Sequence, residues 1–361
     1  MPTIWCAISG HGFGHAAQVI PILNELGRRV PRLTAIIRSS VAASFFQDRL
    51  AIPWSLQAVQ QDVGCVQHGP LEIDVSGTWE AHKVFHATWQ SRLAAEAAAM
   101  AAAAPTLILA DTPYLPVSAG KRSGIPTVVA ATFTWSEVLQ CFGDASPEQQ
   151  AIVEVIRRSY GEADFGLRIA PGLPLSGIPK VVDIGPIAEP AASERARLRA
   201  CLGVMASERL VLMGFGGIPL DGLPWDEMDR MKGYRFLATG LPPGIFSRIH
   251  SLSEIPFSFK TALASVDVVM TKPGYGTILE AVALGLPVVY VRRYNFADES
   301  SLVQFLHAYG QGCELSRSDF VSGNWQAALD RVAGLKRESP TNRVLLTGAV
   351  EGAQALLHYF Q

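Results

Sequence analysis

Short apolar runs, each closed by a glycine, proline or small polar turn, recur along the 361 residues. Residues 3–9, 33–38, 55–59, 106–110, 125–130, 165–169 and 181–184 read as strands in the first half. Residues 210–213, 235–239, 266–270 and 286–291 read as strands in the second, with another short one within 244–254. Such runs, apolar without strict alternation, mark strands buried on both faces of a parallel sheet. Amphipathic segments lie between them. Residues 16–28, 41–49, 152–160, 192–202, 257–265, 278–284, 300–309, 324–331 and 347–359 carry the helical period, and residues 71–104 are mainly helical after Asp74. Alternation of strand and helix predicts an α/β protein with parallel sheets. Residues 171–190 are rich in Pro and Gly and read as the link between two α/β units, each with a glycine turn after its first strand. The expected organisation is a Rossmann-like domain over 1–188, a second over 189–345, and a C-terminal helix over 346–361 packing back on the first.

Composition narrows the classes. Hydrophobic residues make up 49% and charged residues 17%, as in a globular chain. A net charge of −2 leaves no basic footprint for nucleic acid. The cysteines Cys6, Cys65, Cys141, Cys201 and Cys313 are scattered, with no C-x-x-C, which points to a reducing compartment and no structural zinc. No apolar run is long enough to span a bilayer, and the N-terminus enters a strand with no leader pattern, so a cytoplasmic location is expected.

Two glycine turns concentrate the candidate chemistry. After the first strand comes Gly10-His11-Gly12-Phe13-Gly14-His15 and then a helix. This places two imidazoles at the carboxyl edge of a parallel sheet, where α/β proteins bind ligands. His15 at the helix start is expected to have a lowered pKa and to serve as a neutral general base; His11 is either a second candidate or a hydrogen-bonded turn residue. Asp111, ending the strand at 106–110, falls on the same edge, and Asp62 is a further candidate for orienting acceptor or base. The second turn, Lys272-Pro273-Gly274-Tyr275-Gly276-Thr277, joins a buried strand to a helix. Gly274 and Gly276 are expected at positive φ and Thr277 as the helix cap. Free N–H groups and the positive helix end suit a phosphate, and Glu280 one turn on could accept from a ribose diol. Lys272 could add a phosphate contact or reach solvent. His82 and His86, spaced i, i+4, lack a third metal ligand and read as solvent- or groove-facing. Trp79, Trp89, Tyr114 and Trp135 could stack on an acceptor or belong to the core.

Taken in order, Gly10–His15, Asp62-Val63-Gly64, Ala110-Asp111 with Pro113, Gly124-Ile125-Pro126, Phe133-Thr134-Trp135, Phe215-Gly216-Gly217, and Gly274-Tyr275-Gly276-Thr277 through Arg292-Arg293 with Phe296 and Glu299 resemble the glycosyltransferase-like half of plant arabinokinases and their stand-alone bacterial relatives. The peptidoglycan glucosaminyltransferase is a more distant likeness. The resemblance implies a GT-B fold, two Rossmann-like domains facing across a cleft, with a UDP-sugar in the C-terminal one. It implies that Gly216, Gly217, Gly274, Gly276 and Thr277 contact the diphosphate, with Lys272 and Tyr275 in the same turn, and Glu280 the ribose. It places Ser253 and Ile255 beside the uracil, Asp298 and Glu299 on sugar hydroxyls, and Arg292 or Arg293 against the leaving diphosphate. The acceptor is expected against Gly12, Phe13, Gly14, Asp62 and Trp135.

The expected function is metal-independent sugar transfer from a nucleotide sugar, with the nucleotide sugar a co-substrate and no cofactor. The acceptor, the donor sugar and the oligomeric state are left open. A GT-B hydrolase or epimerase, and a non-catalytic nucleotide-sugar sensor or partner subunit, are the alternatives.

Overall fold

A computed structural model describes residues 1–216, 222–242, 244, 246–293, 295–335 and 344–361. The first half runs β1 (Thr3–Ile8), α1 (Phe13–Arg29), β2 (Thr34–Arg38), α2 (Ala43–Gln47), β3 (Trp54–Gln57), α3 (Val75–Ala87), α4 (Trp89–Ala103), β4 (Leu107–Asp111), α5 (Leu115–Ser123), β5 (Thr127–Ala131), α6 (Trp135–Gln140), α7 (Pro147–Tyr160), β6 (Phe165–Ile169) and β7 (Val181–Ile184). The second half continues with α8 (Arg195–Cys201), β8 (Arg209–Gly214), α9 (Trp225–Arg230), β9 (Tyr234–Ala238), β10 (Ile249–Ser251), α10 (Phe259–Ser265), β11 (Val268–Thr271), α11 (Tyr275–Ala283), β12 (Val288–Val291), α12 (Glu299–Tyr309), β13 (Gly312–Leu315), α13 (Arg317–Ser322), α14 (Gln326–Ala333) and α15 (Gly348–Leu356).

Both sheets are wholly parallel, in the orders β3-β2-β1-β4-β5-β6-β7 and β10-β9-β8-β11-β12-β13. Central strands β4, β5, β11 and β12 are buried along their whole length, as their continuous apolar runs require, whereas edge strand β3 alternates. In each sheet the strand order reverses beside the first strand, between β1 and β4 and between β8 and β11. Crevices for ligands open at the carboxyl ends of such pairs. The turns after β1, β4, β8 and β11 are therefore the ones that matter for function.

One apolar cluster runs through both halves, from Ile4 and Ile22 to Leu210, Ile278 and Leu356. Helix α15 packs on α1 and β7. Gly348 lies so close to the Gly185 carbonyl that a Cβ would sit 2.0 Å from its oxygen, and the Gly185 N–H donates to Glu351 at 2.6 Å.

Several boundaries differ from expectation. Helix α1 begins at Phe13 because Gly12, at φ 102°, turns the chain there. The 71–104 segment breaks at Thr88, which ends α3 and begins α4. Strand β13 and helices α9 and α13 are short elements that the apolar pattern did not reveal.

Candidate active site

Register brings the first histidine turn to an acid. In the β1–β4 ladder Ile8 lies opposite Asp111, so the residue after β1 and the last residue of β4 share one edge. His15, in the first turn of α1, places Nδ1 3.0 Å from Oδ2 and 3.2 Å from Oδ1 of Asp111. A buried carboxylate only accepts, so Nδ1 of the neutral ring carries the proton and the Nε2 lone pair is turned away from Asp111. Among the described residues Nε2 has no hydrogen-bond partner. Phe133 flanks the ring edge-on at 5.7 Å.

The expected lowering of the His15 pKa is overturned. Burial does push it down, but the adjacent Asp111 carboxylate outweighs burial, with Asp62 and Asp298 adding to it, and the net shift is upward. A formal anion in contact dominates the partial charge of a helix end.

Thr112 follows Asp111 at φ 63°, a left-handed conformation costly for a β-branched side chain. Its carbonyl is held by the Tyr160 hydroxyl, and its Oγ1 lies 3.3 Å from both His15 Nδ1 and Asp111 Oδ1. Such strain persists only where the surrounding contacts hold it in place. Nothing in the residue types announces it; only its place at the end of a strand does.

His11 takes a different part. The Cys65 N–H donates to its Nε2 at 3.4 Å and the Gln67 amide approaches the same atom at 2.9 Å, so that lone pair is committed. Burial foremost, then the neighbouring His15, Lys272 and His82, holds its pKa at about 4. His11 is thus corrected from a candidate base to a neutral anchor of the 64–67 loop. Asp62 is buried, its Oδ2 accepting from the Trp135 indole at 2.7 Å, and burial raises its pKa to about 6. Trp135 itself is 1% exposed and offers no stacking surface. A Cβ on Gly12 or Gly14 would meet nothing within 4 Å, and Phe13 is exposed.

Across the cleft, the Thr271 hydroxyl donates to the Gly214 carbonyl at 2.6 Å, joining the ends of β8 and β11. Lys272 is half-buried. It folds over Gly216, whose Cβ position lies 3.5 Å from Cε. Burial first, then Arg293, lowers its pKa to about 7 against the opposing pull of Asp298. Its ammonium makes no hydrogen bond or ion pair with a described residue. Gly274, at φ −118°, caps α11 without a side-chain bond, and neither it nor Gly276 has positive φ. Thr277 lies inside the first turn and is not the cap. The glycines matter for want of a side chain: a Cβ on Gly276 would meet nothing within 4 Å. Among the described residues the N–H groups of Tyr275, Gly276 and Thr277 have no backbone acceptor.

Other expected donor contacts are redistributed. The Tyr275 hydroxyl donates to the Ala170 carbonyl at 2.8 Å and accepts from the Ile187 N–H at 3.0 Å, so this ring latches the interdomain link. Glu299 is 2% exposed; its oxygens are taken by Arg292 Nε at 2.7 Å and the Arg293 N–H, so its carboxylate serves the scaffold here, while Arg292 is engaged through Nε alone. The Arg293 guanidinium donates to the Pro273 carbonyl and lies over Phe296, bracing the second turn. Asp298 stays at the cleft, within electrostatic reach of His15 and Lys272. Glu280 is buried and paired with Lys260 at 3.1 Å. Ser253 is exposed, whereas the Ile255 side chain is core and leaves only its backbone for a base. Gly217 lies outside the described residues.

His82 is fully buried, bonded through Nε2 to the Gly64 carbonyl at 3.1 Å, which corrects its exposed placement. His86 bonds the Tyr114 hydroxyl at 2.9 Å and lines an outer groove of about 730 Å³ between α3, α4 and α7 that none of the cleft residues joins. Among the described residues no three His, Cys, Asp or Glu side chains group as a metal site, and no helix is long and apolar enough to cross a membrane.

No protein-family model matches the chain. It is 26% identical over 371 aligned positions to the L-arabinokinase of Arabidopsis thaliana, an alignment covering 98% of this chain and 34% of that protein. The chain thus spans about a third of the length of the curated relative it matches. Among solved structures it resembles the calicheamicin glycosyltransferase CalG4, with TM-score 0.64, 15% identity and coverage of 99% and 98% of the two chains. It also resembles Phytolacca americana UGT2 in complex with UDP-2-fluoroglucose and pterostilbene, with TM-score 0.62, 16% identity and coverage of 99% and 94%. The glycosyltransferase VinC, bound to dTDP, matches with TM-score 0.56, 14% identity and coverage of 99% and 94%. With two parallel sheets whose switch points face one cleft, the chain has the GT-B fold of these glycosyltransferases.

Proposed function

We propose that the protein is a glycosyltransferase that moves a sugar from a nucleoside diphosphate to a hydroxyl acceptor. The observation that carries this reading is the His15–Asp111 pair, with its outward Nε2, set across a cleft from the uncapped start of α11 and the unpartnered Lys272. The diphosphate rests on the first N–H groups of α11 with Lys272 as its counter-charge, and Glu280 accepts from the ribose in exchange for its bond to Lys260. Nucleotide sugars bound by structural neighbours, UDP-2-fluoroglucose and dTDP among the nucleotides, support a donor of this class.

The acceptor oxygen attacks the anomeric carbon as its proton passes to His15 Nε2. The carbon–oxygen bond to the acceptor forms, the bond to the β-phosphate oxygen breaks, and the nucleoside diphosphate leaves with that electron pair. Asp111 stabilises the imidazolium that results. In-line displacement of this kind inverts the anomeric configuration. A helix end and an ammonium meet the charge on the departing diphosphate, so the step is written without a metal. Kinase activity is not part of the proposal.

The test is nucleotide release from a panel of UDP-, GDP- and dTDP-sugars with mixed acceptors. His15→Ala should lose about 100-fold or more in turnover while keeping donor affinity. Undiminished turnover in that variant contradicts the assigned base.

A further inference from the structure

We infer that the acceptor is a small, hydroxyl-rich molecule of the polyol or monosaccharide class, held by Asp62 beside His15, and not a flat apolar aglycone. The inference rests on the glycosyl-transfer reading and deepens it. Its first ground is which aromatic rings are accessible. Trp135 and Tyr114 are 1% and 0% exposed and Trp79 is 9% exposed, so none of the three offers a stacking face at the histidine turn. The rings left at this turn are Phe133, edge-on to His15, and the exposed Phe13, which has one face stacked on Phe45, so what is offered is a single phenyl face, enough for one apolar face of a sugar.

The second ground is what the edge presents instead. Asp62 is a carboxylate removed from water, held by the Trp135 indole at 2.7 Å and by the Ser9 side chain, and within electrostatic reach of His15. Among the described residues no Lys or Arg pairs with it. A carboxylate has about four acceptor positions, and its burial is unfavourable until hydroxyl or N–H donors fill them. Adjacent hydroxyls of a polyol supply such donors, one to Asp62 while its neighbour turns to His15. A ring without donors leaves the acceptor positions not used by Trp135 and Ser9 unfilled.

The third ground is closure. Residues 66–74 form a strap: Gln67 bridges Ile73, and the Asp74 N–H donates to the Val66 carbonyl at 2.9 Å. One end of the strap holds His11 through Gln67. Its tip crosses the cleft, with Leu71 inside the apolar cluster of the second sheet and Glu72 paired to Arg317 at 2.7 Å. From the other side Phe296 and Ala297 pack on the apolar cluster of the first domain. The acceptor end is thus roofed on two sides, which suits a compact molecule.

The experiment measures UDP-sugar binding by calorimetry, then nucleotide release and product mass with glycerol, sorbitol, myo-inositol and D-glucose against 4-nitrophenol and resorcinol. The expected result is release at least tenfold above the acceptor-free rate with one or more of the polyhydroxyl compounds, and less with either phenol. Asp62→Asn should then raise the KM for that acceptor about tenfold, as loss of a charged hydrogen bond does, with kcat changed less than threefold and donor affinity unchanged. Its melting temperature should not fall, which separates a binding role from a structural one. Faster turnover of phenols, nucleotide release that no acceptor accelerates, or an unchanged KM in Asp62→Asn overturns the inference alone. Absence of binding to any nucleotide sugar overturns the glycosyl-transfer reading and this inference with it.

Discussion

Asp62 carries the thermodynamic signature of a buried carboxyl. Burial lifts its carboxyl from the ordinary 3.8 to about 6, so the folded protein holds a proton that the unfolded chain has released. The sign follows: this group's contribution falls as pH rises from about 4 through about 6, and above that the native state is destabilised by about 3 kcal/mol relative to acid. Asp62→Asn cannot ionise yet keeps an acceptor for Trp135. Its melting temperature is expected to exceed that of the unsubstituted protein at pH 7.5 by several degrees, the gain vanishing near pH 4. Differential scanning calorimetry at both pH values checks this. His15 gives the opposite limb. Its pKa is raised by Asp111 despite burial, and only the neutral ring is a base, so activity is lost as pH falls through a value above 6.5. Asp111→Asn should move that acid limb to lower pH and cut kcat/KM about 100-fold or more; a pH–rate profile with an unmoved limb contradicts the pairing. Lys272 titrates from the donor side. With its pKa near 7 in the free protein, a bound diphosphate raises it, so UDP-sugar affinity is flat below pH 7 and declines above it. Lys272→Met should weaken binding tenfold to a hundredfold and abolish that decline, as read by calorimetry at pH 6.5 and 8.5.

At the scale of elements, the long apolar runs were legible and the turns only in part. Strands β4, β5, β11 and β12 are buried end to end, and their sequences say so without help. Strand β13 is four residues, Gly-Cys-Glu-Leu, too short and mixed to stand out. The two glycine turns were found as the places where strand meets helix, but their geometry was not. Gly274 and Gly276 have ordinary φ, and their use is the empty space they leave, a property of what faces them and not of the residues. Tyr275 and Glu299 sit within the expected donor set, yet both side chains are spent on the scaffold: the ring ties α11 to the interdomain link, and the carboxylate ties β12 to α12. Composition cannot tell a polar group that serves a ligand from one that serves a neighbouring backbone, because the two differ only in tertiary partners. The Thr112 strain was invisible for the same reason. Helix α15 offers a test at this scale. A methyl on Gly348 would meet the Gly185 backbone at 2.0 Å with no flexible side chain to yield. Gly348→Ala is expected to cost about 1–3 kcal/mol, visible as an early unfolding step in a denaturant titration.

Over the whole molecule, a repeated topology places two chemistries face to face. Each sheet reverses its strand order beside its first strand, and each reversal opens on the same cleft. The first sheet supplies a histidine held by a carboxylate; the second supplies a helix start and an ammonium with no ion pair among the described residues. A continuous apolar cluster, the Tyr275 latch and the 66–74 strap keep the halves in register. The arrangement is the GT-B one, and under the proposed function it joins the histidine turn and the glycine turn, about 260 residues apart, in one reaction. The most direct measurement is a crystal structure with UDP bound. The expected result is the diphosphate on the N–H groups of Tyr275, Gly276 and Thr277, with the Lys272 ammonium in contact and the ribose at Glu280. A nucleotide bound elsewhere, with the start of α11 unoccupied, would contradict the account.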